Sequence, residues 1–372
     1  MRADGIGLYV HVPFCLRKCN YCDFCSFPPE RIENRAGYID RLCDEIRSYK
    51  EKSLTLNSIF FGGGTPSLLT PCEFCKIVDA IEESFNISQM CEFTLEANPA
   101  TLDEEKLVCY TSRGVNRLSI GLQSIHKNEL EKLGRIHNFS DFLDSYSLAR
   151  RCGIDNINVD LMYGIPEQTT ESFIKTLEAV TALSPEHISV YGLIIEEGTP
   201  FFDERDSLSV PDEDNECDMY YSATRLLCDA GYSHYEISNY AKPGSECKHN
   251  LKYWRAEEYI GVGVSAYSYF DKQRFGNSKD IEGYIIGNTR VSDSVTLDAS
   301  DEAYEYVMLH LRLREGFSLS EYERLFGKSF TEGREETLKK LSDRGYLIIM
   351  GDRISLTESG FYVSNYILTE LI

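Results

Sequence analysis

The stretch GLYVHVPFCLRKCNYC, residues 7–22, decides the fold that the sequence predicts. Its first half, GLYVHVPF, is rich in β-branched and aromatic residues, which is typical of a buried strand. Its second half places Cys15, Cys19 and Cys22 in C-x3-C-x2-C spacing directly after that strand. Three thiols are therefore expected to converge from one loop at the C-terminal end of the first strand.

Five further runs repeat this strand pattern along the first two hundred residues. They are SIFFGG (58–63), EFTLEANP (92–99), RLSIGLQSI (117–125), NINVDLMYGIP (156–166) and HISVYGLII (187–195). Because helical segments separate the runs, they predict an α/β fold with six parallel strands in a closed or partly closed β/α barrel. Polar and glycine-rich residues fall late in the runs, at the end where barrels assemble their chemistry. Thr101 and Glu104 fit a capping box for the helix after the third run.

Composition restricts the class of protein. With 372 residues, 42% of them hydrophobic, the chain can bury one large core and leave a smaller second domain. We expect a cytoplasmic protein without a membrane span, since the N-terminus lacks a secretory leader pattern and no apolar run approaches roughly 18 residues. Thirteen scattered cysteines in a reducing compartment favour metal binding or catalysis over disulfides. The net charge of −22 argues against nucleic acid or anionic lipid as the main partner.

The cysteine loop predicts an iron–sulfur cluster. Structural zinc takes four ligands, usually in two separated pairs, and no second C-x2-C pair stands at zinc-finger spacing. The bacterial ferredoxin run is not matched either, and adding Cys25 would crowd four ligands into eleven residues. A four-iron cluster with one open iron fits best, so Cys15, Cys19 and Cys22 are the predicted metal ligands. Zinc binding and inert thiols are the alternatives.

These cysteines, with Tyr21 beside the third, resemble those of the radical S-adenosylmethionine (SAM) enzymes. In that family the open iron is chelated by the amino and carboxylate groups of the methionine moiety. The segments YVHVPFC, FFGGGTPS, EANP, IGLQS, LGRIH and VDLMYGIP are similar to the branch that contains oxygen-independent coproporphyrinogen III oxidase and the heme chaperone HemW. The resemblance covers essentially the whole chain. It implies a partial (β/α)6 TIM-type barrel of the radical SAM class, with a 4Fe–4S cluster and SAM as cofactors.

The resemblance also implies which residues contact SAM. Glycines at 62–64 lack Cβ atoms, so their backbone can approach a bound amino acid. A carboxylate late in the third strand can accept hydrogen bonds from ribose hydroxyls, and a guanidinium can pair with a carboxylate. The residues at matching positions are Tyr9, Phe24, Gly63, Gly64, Thr65, Glu96, Gln123, Arg135 and Asp160. Taken singly, each also has an ordinary structural explanation.

Two departures separate the branches of this family. The oxidases carry a fourth cysteine two residues after the third, where this chain has Phe24, with Cys25 displaced by one. The segment CKHNLKYW, residues 247–254, matches the H-N-x-x-Y-W signature associated with heme binding in the chaperones. The resemblance therefore favours a HemW-like chaperone that binds heme and SAM and delivers heme to acceptor proteins, without coproporphyrinogen oxidase activity. The oxidase is the second alternative and a zinc-binding adaptor the third, and whether the chain is an enzyme stays open.

The heme signature carries suitable chemistry. His249 can ligate heme iron through a neutral imidazole nitrogen, and Tyr253 and Trp254 can pack on a porphyrin. Cys247 is an alternative thiolate ligand, and Tyr267 stands where relatives often have histidine, which leaves the heme geometry open. Without the resemblance, a turn and a core tryptophan would be the simpler explanation.

The sequence changes character after residue 295. DEAYEYVMLHLRLREG (301–316) and REETLKKLSDRGYLI (334–348) predict helices, and YLIIMGDRISL (346–356) predicts a hairpin. We therefore expect two domains, a barrel with its heme-motif extension over 1–295 and a winged-helix-like domain over 296–372. Residues 301–372 hold nine Lys and Arg against thirteen Asp and Glu, which disfavours nucleic-acid binding. A cover over the barrel mouth or a protein docking surface is expected instead.

The expected partners follow from the resemblance. They are heme, heme-acceptor proteins and an electron donor that the sequence does not identify. A homodimer and a peripheral location at the membrane through acceptor proteins stay open.

Overall fold

The computed structural model describes residues 5–28, 34–288 and 294–372. Residues 1–4 lie outside the described ranges. They belong to the N-terminal stretch from which we expect no secretory leader. The strands are β1 Ile6–Val12, β2 Thr55–Gly63, β3 Asn86–Ala97, β4 Arg117–Gln123, β5 Asn156–Tyr163, β6 His187–Gly192, β7 Ser233–Glu236, β8 Asn239–Ala241, β9 Tyr259–Val262, β10 Tyr267–Phe270, β11 Gln273–Gly276, β12 Val295–Thr296, β13 Phe317–Ser318, β14 Leu347–Met350 and β15 Arg353–Leu356.

The α-helices cover the outer face of the sheet and build the C-terminal region. They are α1 Arg35–Arg47, α2 Pro71–Ser84, α3 Glu104–Ser112, α4 Lys127–Lys132, α5 Phe139–Arg151, α6 Thr170–Leu183, α7 Pro200–Asp203, α8 Glu213–Asp229, α9 Lys248–Trp254, α10 Ile281–Ile285, α11 Ala299–His310, α12 Leu319–Phe326, α13 Glu335–Asp343, α14 Glu358–Tyr362 and α15 Ser364–Leu371. None of the described helices combines the length and the apolar character that crossing a bilayer demands.

Strands β1 to β6 lie side by side in chain order and are all parallel. Each of the six predicted runs therefore becomes a strand, which confirms the α/β barrel-type fold. The sheet continues beyond β1 through β9, which is parallel to it, and then through antiparallel β10, β11 and β12. Beyond β6 it ends in the antiparallel pair β8 and β7.

The pattern in β4 explains how the strands hold both a core and a site. Leu118, Ile120 and Leu122 are fully buried and belong to the main hydrophobic core. The residues between them, at 117, 119, 121 and 123, are Arg, Ser, Gly and Gln. Because successive side chains point to opposite faces of a strand, one face of β4 packs on the helices and the other faces the barrel interior.

The predicted capping box at Thr101 is wrong. Helix α3 begins two residues later, and Asp103 is its N-cap, accepting from the backbone N–H of Lys106 at 2.8 Å. The Thr101 hydroxyl instead donates to the carbonyl of Asn98 at 2.6 Å. A stronger cap beside the helix start has taken the place of the threonine.

The C-terminal region forms the predicted winged-helix-like arrangement. Strands β13, β15 and β14 make a small antiparallel sheet beside α11, α12 and α13. Its own hydrophobic core includes Phe317, Phe330 and Leu341, and Tyr220 of α8 joins that core from the barrel side. Glu358 strengthens the contact, since it accepts from the Tyr220 hydroxyl at 3.0 Å.

Candidate functional site

The carboxyl ends of the parallel strands surround a cavity of about 400 Å³, here called the central cavity. Its wall joins the cysteine loop after β1, the glycine turn after β2 and the ends of β3, β4 and β5. Of the predicted cluster and cofactor residues, it is lined by Cys15, Cys19, Cys22, Phe24, Gly63, Gly64, Glu96, Gln123, Arg135 and Asp160. The fold therefore brings most of the predicted site into one place.

The three predicted cluster cysteines line the central cavity together, whereas Cys25 lines a neighbouring cavity. The Cys15 sulfur lies 3.7 Å from Thr65 Oγ1, and burial raises the pKa of Cys15 and, to about 11, that of Cys22. Among the described residues, no three His, Cys, Asp or Glu side chains are arranged to hold one metal ion. An iron–sulfur cluster binds each thiolate through a different iron, as a spread set of cysteines allows.

The glycine turn lets the cysteine loop pack directly against β2. Gly63 has φ +109°, and a Cβ there would lie 2.5 Å from the His11 ring. A Cβ on Gly64 would lie 2.7 Å from the carbonyl oxygen of Phe14. Thr65 lies behind the turn, 3% exposed, and its hydroxyl accepts from Asn98 Nδ2 at 2.8 Å. Thr65 thus supports the turn and the Cys15 side chain and does not line the central cavity.

Two carboxyl groups face each other inside the cavity. Burial, and then the charge of Asp160, raises the pKa of Glu96 from 4.5 to about 8. Burial also raises the pKa of Asp160, although Asn158 Nδ2 donates to it at 2.8 Å and Ser119 Oγ donates at 3.0 Å. Glu96 accepts a hydrogen bond from the Gly63 N–H at 3.2 Å. The pair costs free energy without a ligand, and hydroxyl or ammonium donors would relieve that cost.

Arg135 links the cysteine loop to the strand ends. Its Nη1 donates to the Cys19 sulfur at 3.6 Å and its Nη2 donates to Asn98 Oδ1 at 2.6 Å. Its Nε is buried and has no hydrogen-bond partner. The guanidinium therefore holds a positive charge beside a predicted cluster ligand and keeps one donor for a bound group.

Gln123 adopts a left-handed backbone conformation, which most non-glycine residues avoid. Its φ is +70°, and the pairing of β4 with β5 shifts register between Gly121 and Gln123. A left-handed residue at a bulge is strained, and such residues cluster at functional sites. The bulge aims the Gln123 side chain into the central cavity.

Tyr9 lies outside the central cavity. It lines two neighbouring cavities, and its hydroxyl is 3.0 Å from His11 Nδ1. Phe24 is 63% exposed and lines all three cavities. Phe24 thus lies where the central cavity adjoins the two other spaces.

His249 lies deep in the barrel, beside a second cavity of about 230 Å³, here called the deep cavity. The residue is 1% exposed, with Nδ1 at 2.9 Å from Ser58 Oγ and Nε2 at 2.8 Å from the Tyr253 hydroxyl. Burial, and then the charge of Lys252, lowers the pKa of His249 to about 3, so the ring is neutral. Both ring nitrogens have partners, so an iron at Nε2 would have to displace the Tyr253 hydroxyl.

The aromatic residues of the heme signature point in different directions. His249 and Tyr253 are four residues apart on α9, so they share a face, and both line the deep cavity. Trp254 lies on another face, 5.6 Å from the Arg312 guanidinium, and lines none of the cavities described here. Cys247 is fully buried against Glu92 and lines none of them either. Of Tyr253 and Trp254, it is thus Tyr253 that is placed to contact a ligand in these cavities.

Sequence reasoning missed the polar floor of the barrel. Ser119, Asn158 and Ser189 line the deep cavity, together with Arg117, whose side chain is among the largest that are fully buried. The signal was present, because these residues alternate with buried aliphatic ones in RLSIGLQ, NINVDLMY and HISVYG. A period of two with polar residues on the inner face predicts a barrel whose interior binds a polar group. Asn98, which accepts from Arg135, was likewise missed as a site residue.

The central cavity fits the cofactors that the resemblance implies. Three thiols line the cavity together with two carboxyls of raised pKa. Arg135 and the glycine turn line it as well. An iron–sulfur cluster would bind the thiols, and the amino-acid and ribose parts of SAM would contact the other groups.

Comparison with known families and proteins agrees with this chemistry. Residues 9–180 match the model of the Radical SAM superfamily, and residues 297–363 match the HemN C-terminal domain. The heme chaperone HemW of Haemophilus influenzae is 34% identical, with 98% of this chain and 97% of that protein covered. HemW of Escherichia coli is also 34% identical, over 99% of this chain and 98% of that protein.

A solved structure shares the fold over almost the whole chain. It is coproporphyrinogen III oxidase (HemN) of Escherichia coli, a radical SAM enzyme, with a TM-score of 0.86 and 23% sequence identity. The match covers 99% of this chain and 90% of that one. At this identity the likeness establishes the architecture and leaves the activity to the residues of the site.

Proposed function

Because this chain belongs to the HemW family of radical SAM proteins, we propose that it is a heme chaperone. In this proposal it binds a 4Fe–4S cluster through Cys15, Cys19 and Cys22, binds SAM beside the cluster, and carries heme to acceptor proteins. The observation that carries the proposal is that neighbouring cavities have lining residues in common. Phe24 lines the central cavity, with its cluster and cofactor residues, and also both of the spaces lined by Tyr253 of the heme signature.

The residues of the chain would act mainly by positioning. A reduced cluster with SAM supplies one-electron chemistry when both are bound. Arg135 would hold the cofactor carboxylate and Asp160 and Glu96 would accept hydrogen bonds from its hydroxyl or ammonium groups. Gly63, Gly64 and Gln123 would shape the backbone around it, Thr65 would support the turn, and Tyr9 and Phe24 would close the heme side.

His249 is proposed to act in heme binding through Tyr253. Its neutral imidazole is bonded to the Tyr253 hydroxyl at 2.8 Å, so loss of the ring alters the one signature aromatic that faces the cavities. Direct coordination of iron by His249 Nε2 would require the Tyr253 hydroxyl to leave. Trp254 would serve a different purpose, since it contacts Arg312 of the C-terminal region.

We also propose domain boundaries, a docking surface and a cellular location for the chain. We place the barrel with its heme-motif extension in residues 1–295 and the C-terminal domain in 296–372. The exposed surface of that second domain would dock acceptor proteins, and the protein would act in the cytoplasm. An electron donor is also required, and its identity is open.

Coproporphyrinogen III oxidation is the second candidate function, favoured by the structural likeness to HemN. Phe24 stands against it, because it replaces the cysteine typical of the oxidases. A paired assay tests the two functions. The reconstituted protein is expected to bind hemin saturably and to release no carbon dioxide from coproporphyrinogen III, with His249→Ala and Tyr253→Ala altering the heme spectrum. Robust decarboxylation by the parent, with heme binding unchanged in both variants, would support the oxidase instead.

A further inference from the structure

A third cavity, of about 560 Å³, opens beside the cluster loop. It is here called the tyrosine cavity, and its volume lies within the roughly 300–1,000 Å³ of ligand pockets. It is the largest of the cavities described here. Its aromatic lining residues are Tyr9, Phe24, Phe27, Tyr253, Tyr259 and Tyr267. Such walls suit a flat, largely apolar ring system.

The rim of the tyrosine cavity is positively charged, in a chain of net charge −22. Lys18 and Lys279 are exposed and line it, against one carboxylate, that of Asp23. Lys18 Nζ donates to the carbonyl of Phe24 at 3.1 Å, which holds this ammonium over the cavity wall. The two ammonium groups match a ligand that carries two carboxylates on one edge.

A soft donor lies between these lysines. Cys25 lines the tyrosine cavity, and its sulfur is 3.6 Å from the carbonyl of Lys279. Burial raises the pKa of Cys25, while the charges of Lys18 and Lys279 oppose that rise. His11 also lines the cavity, but its two ring nitrogens are bonded to Tyr9 and to the Cys25 carbonyl. Cys25 is thus the side chain here whose chemistry best suits an iron of a tetrapyrrole.

We propose that the tyrosine cavity holds the heme, with Lys18 and Lys279 pairing its two propionates and Cys25 coordinating its iron. This inference rests on the proposed function and assigns the cargo a place in the fold. It places the heme next to the central cavity, with Phe24 as the common wall. Tyr253 and Tyr267 both line this cavity, so both would contact the heme.

Charge reversal at the lysines tests the propionate contacts. In cluster-loaded, full-length protein, Lys18→Glu with Lys279→Glu should raise the Kd for hemin at least about tenfold. Heme dimethyl ester, which lacks the free carboxylates, should bind the parent and this variant equally well. The matched control is Lys328→Glu with Lys339→Glu, two exposed lysines of the C-terminal region, which should bind hemin like the parent.

Substitution of the cysteine tests the iron ligand. Cys25→Ser should shift the Soret band and the electron paramagnetic resonance of bound ferric heme while iron and sulfide content stay unchanged. Cys228→Ser, at an exposed cysteine on α8, is the control. An unchanged heme spectrum in Cys25→Ser, together with unchanged affinity in the lysine variant, would overturn the location but leave the heme chaperone function standing. Failure of the parent to bind hemin saturably would overturn both.

Discussion

Glu96→Gln should make the ligand-free protein more stable and its SAM binding weaker. The pKa of Glu96 is about 8 in the folded protein and near 4.5 when unfolded. Between these pH values the folded carboxyl keeps its proton and the unfolded one releases it. Stability therefore falls as pH rises from about 4.5 to 8 and stays at the lowered level above that. Glutamine cannot ionise, so the variant escapes this loss.

The size of the effect follows from the same pKa. A rise from 4.5 to about 8 sets an upper limit of roughly 5 kcal/mol on the free energy of unfolding that the charged form costs. Glu96 lines a cavity that is open to solvent, and water screens part of that cost. We therefore expect Glu96→Gln to gain about 1 to 3 kcal/mol at pH 9 and much less at pH 5.

Urea unfolding of the cluster-free protein at pH 5, 7 and 9 measures this gain, with fluorescence of the single tryptophan, Trp254, as the signal. Calorimetry on cluster-loaded protein should show weaker SAM binding by Glu96→Gln, because the amide cannot become the ionised acceptor that bound hydroxyl or ammonium donors would favour. Glu332→Gln, at an exposed glutamate of the C-terminal region, is the matched control and should change neither quantity. A Glu96→Gln variant that is less stable than the parent at pH 9, or equally stable at every pH, would refute the reasoning.

Three further predictions concern the cluster, the cofactor and the contact between the two regions. Alanine at any one of the three cysteines of the central cavity should strip iron and sulfide, measured anaerobically, whereas equal loss in Cys25→Ala would contradict the ligand set. Arg135→Ala and Asp160→Ala should each weaken SAM binding by about 1.5 to 3 kcal/mol in calorimetry, since each removes a charge-assisted bond, and unchanged affinity in both would exclude this site. Burial favours a higher pKa for Glu358, but contacts from His234, Tyr220 and Arg314 outweigh it and lower that pKa to about 2. The ionised Glu358 therefore stabilises the folded protein above the pKa of the unfolded carboxyl, and this stabilisation is lost as pH falls from about 5 towards 2. Glu358→Gln should therefore lower Tm more at pH 7 than at pH 3, and an equal decrease at both would argue against it.

The sequence predicts the strands and the central cavity well because both depend on local patterns. Strand runs followed by helices leave a parallel order as the simplest arrangement, and loops at the same strand ends must then meet. The cysteine spacing and the glycine turn lie within single loops, so their place follows from the strands that precede them. The helix cap at Asp103 was missed because Thr101 and Glu104 fit a capping box, although aspartate is the stronger N-cap residue.

The direction of side chains on α9 could not be predicted in the same way. His249, Tyr253 and Trp254 are close in sequence, yet a helix turns about 100° per residue, so neighbours such as 253 and 254 leave on different faces. Which face meets the barrel depends on Glu92, which accepts from the backbone N–H of His249 at 3.1 Å and anchors the start of the helix. That contact joins residues 157 positions apart, beyond the reach of any local pattern.

In the proposed function, the position of α9 would let one short segment connect heme with acceptor proteins. One face of the helix presents Tyr253 to the cavities, while Trp254 contacts Arg312, two residues beyond the end of α11. A partner that moves the C-terminal region would act on Trp254 first, and a heme that displaces Tyr253 would act on the same helix from inside. Since Tyr253 and Trp254 are neighbours on one helix, a displacement of either residue would move the other. Trp254→Leu, which removes the ring over which the Arg312 guanidinium lies, should therefore change transfer of heme to an acceptor more than binding of heme, and an equal effect on both would argue against this coupling.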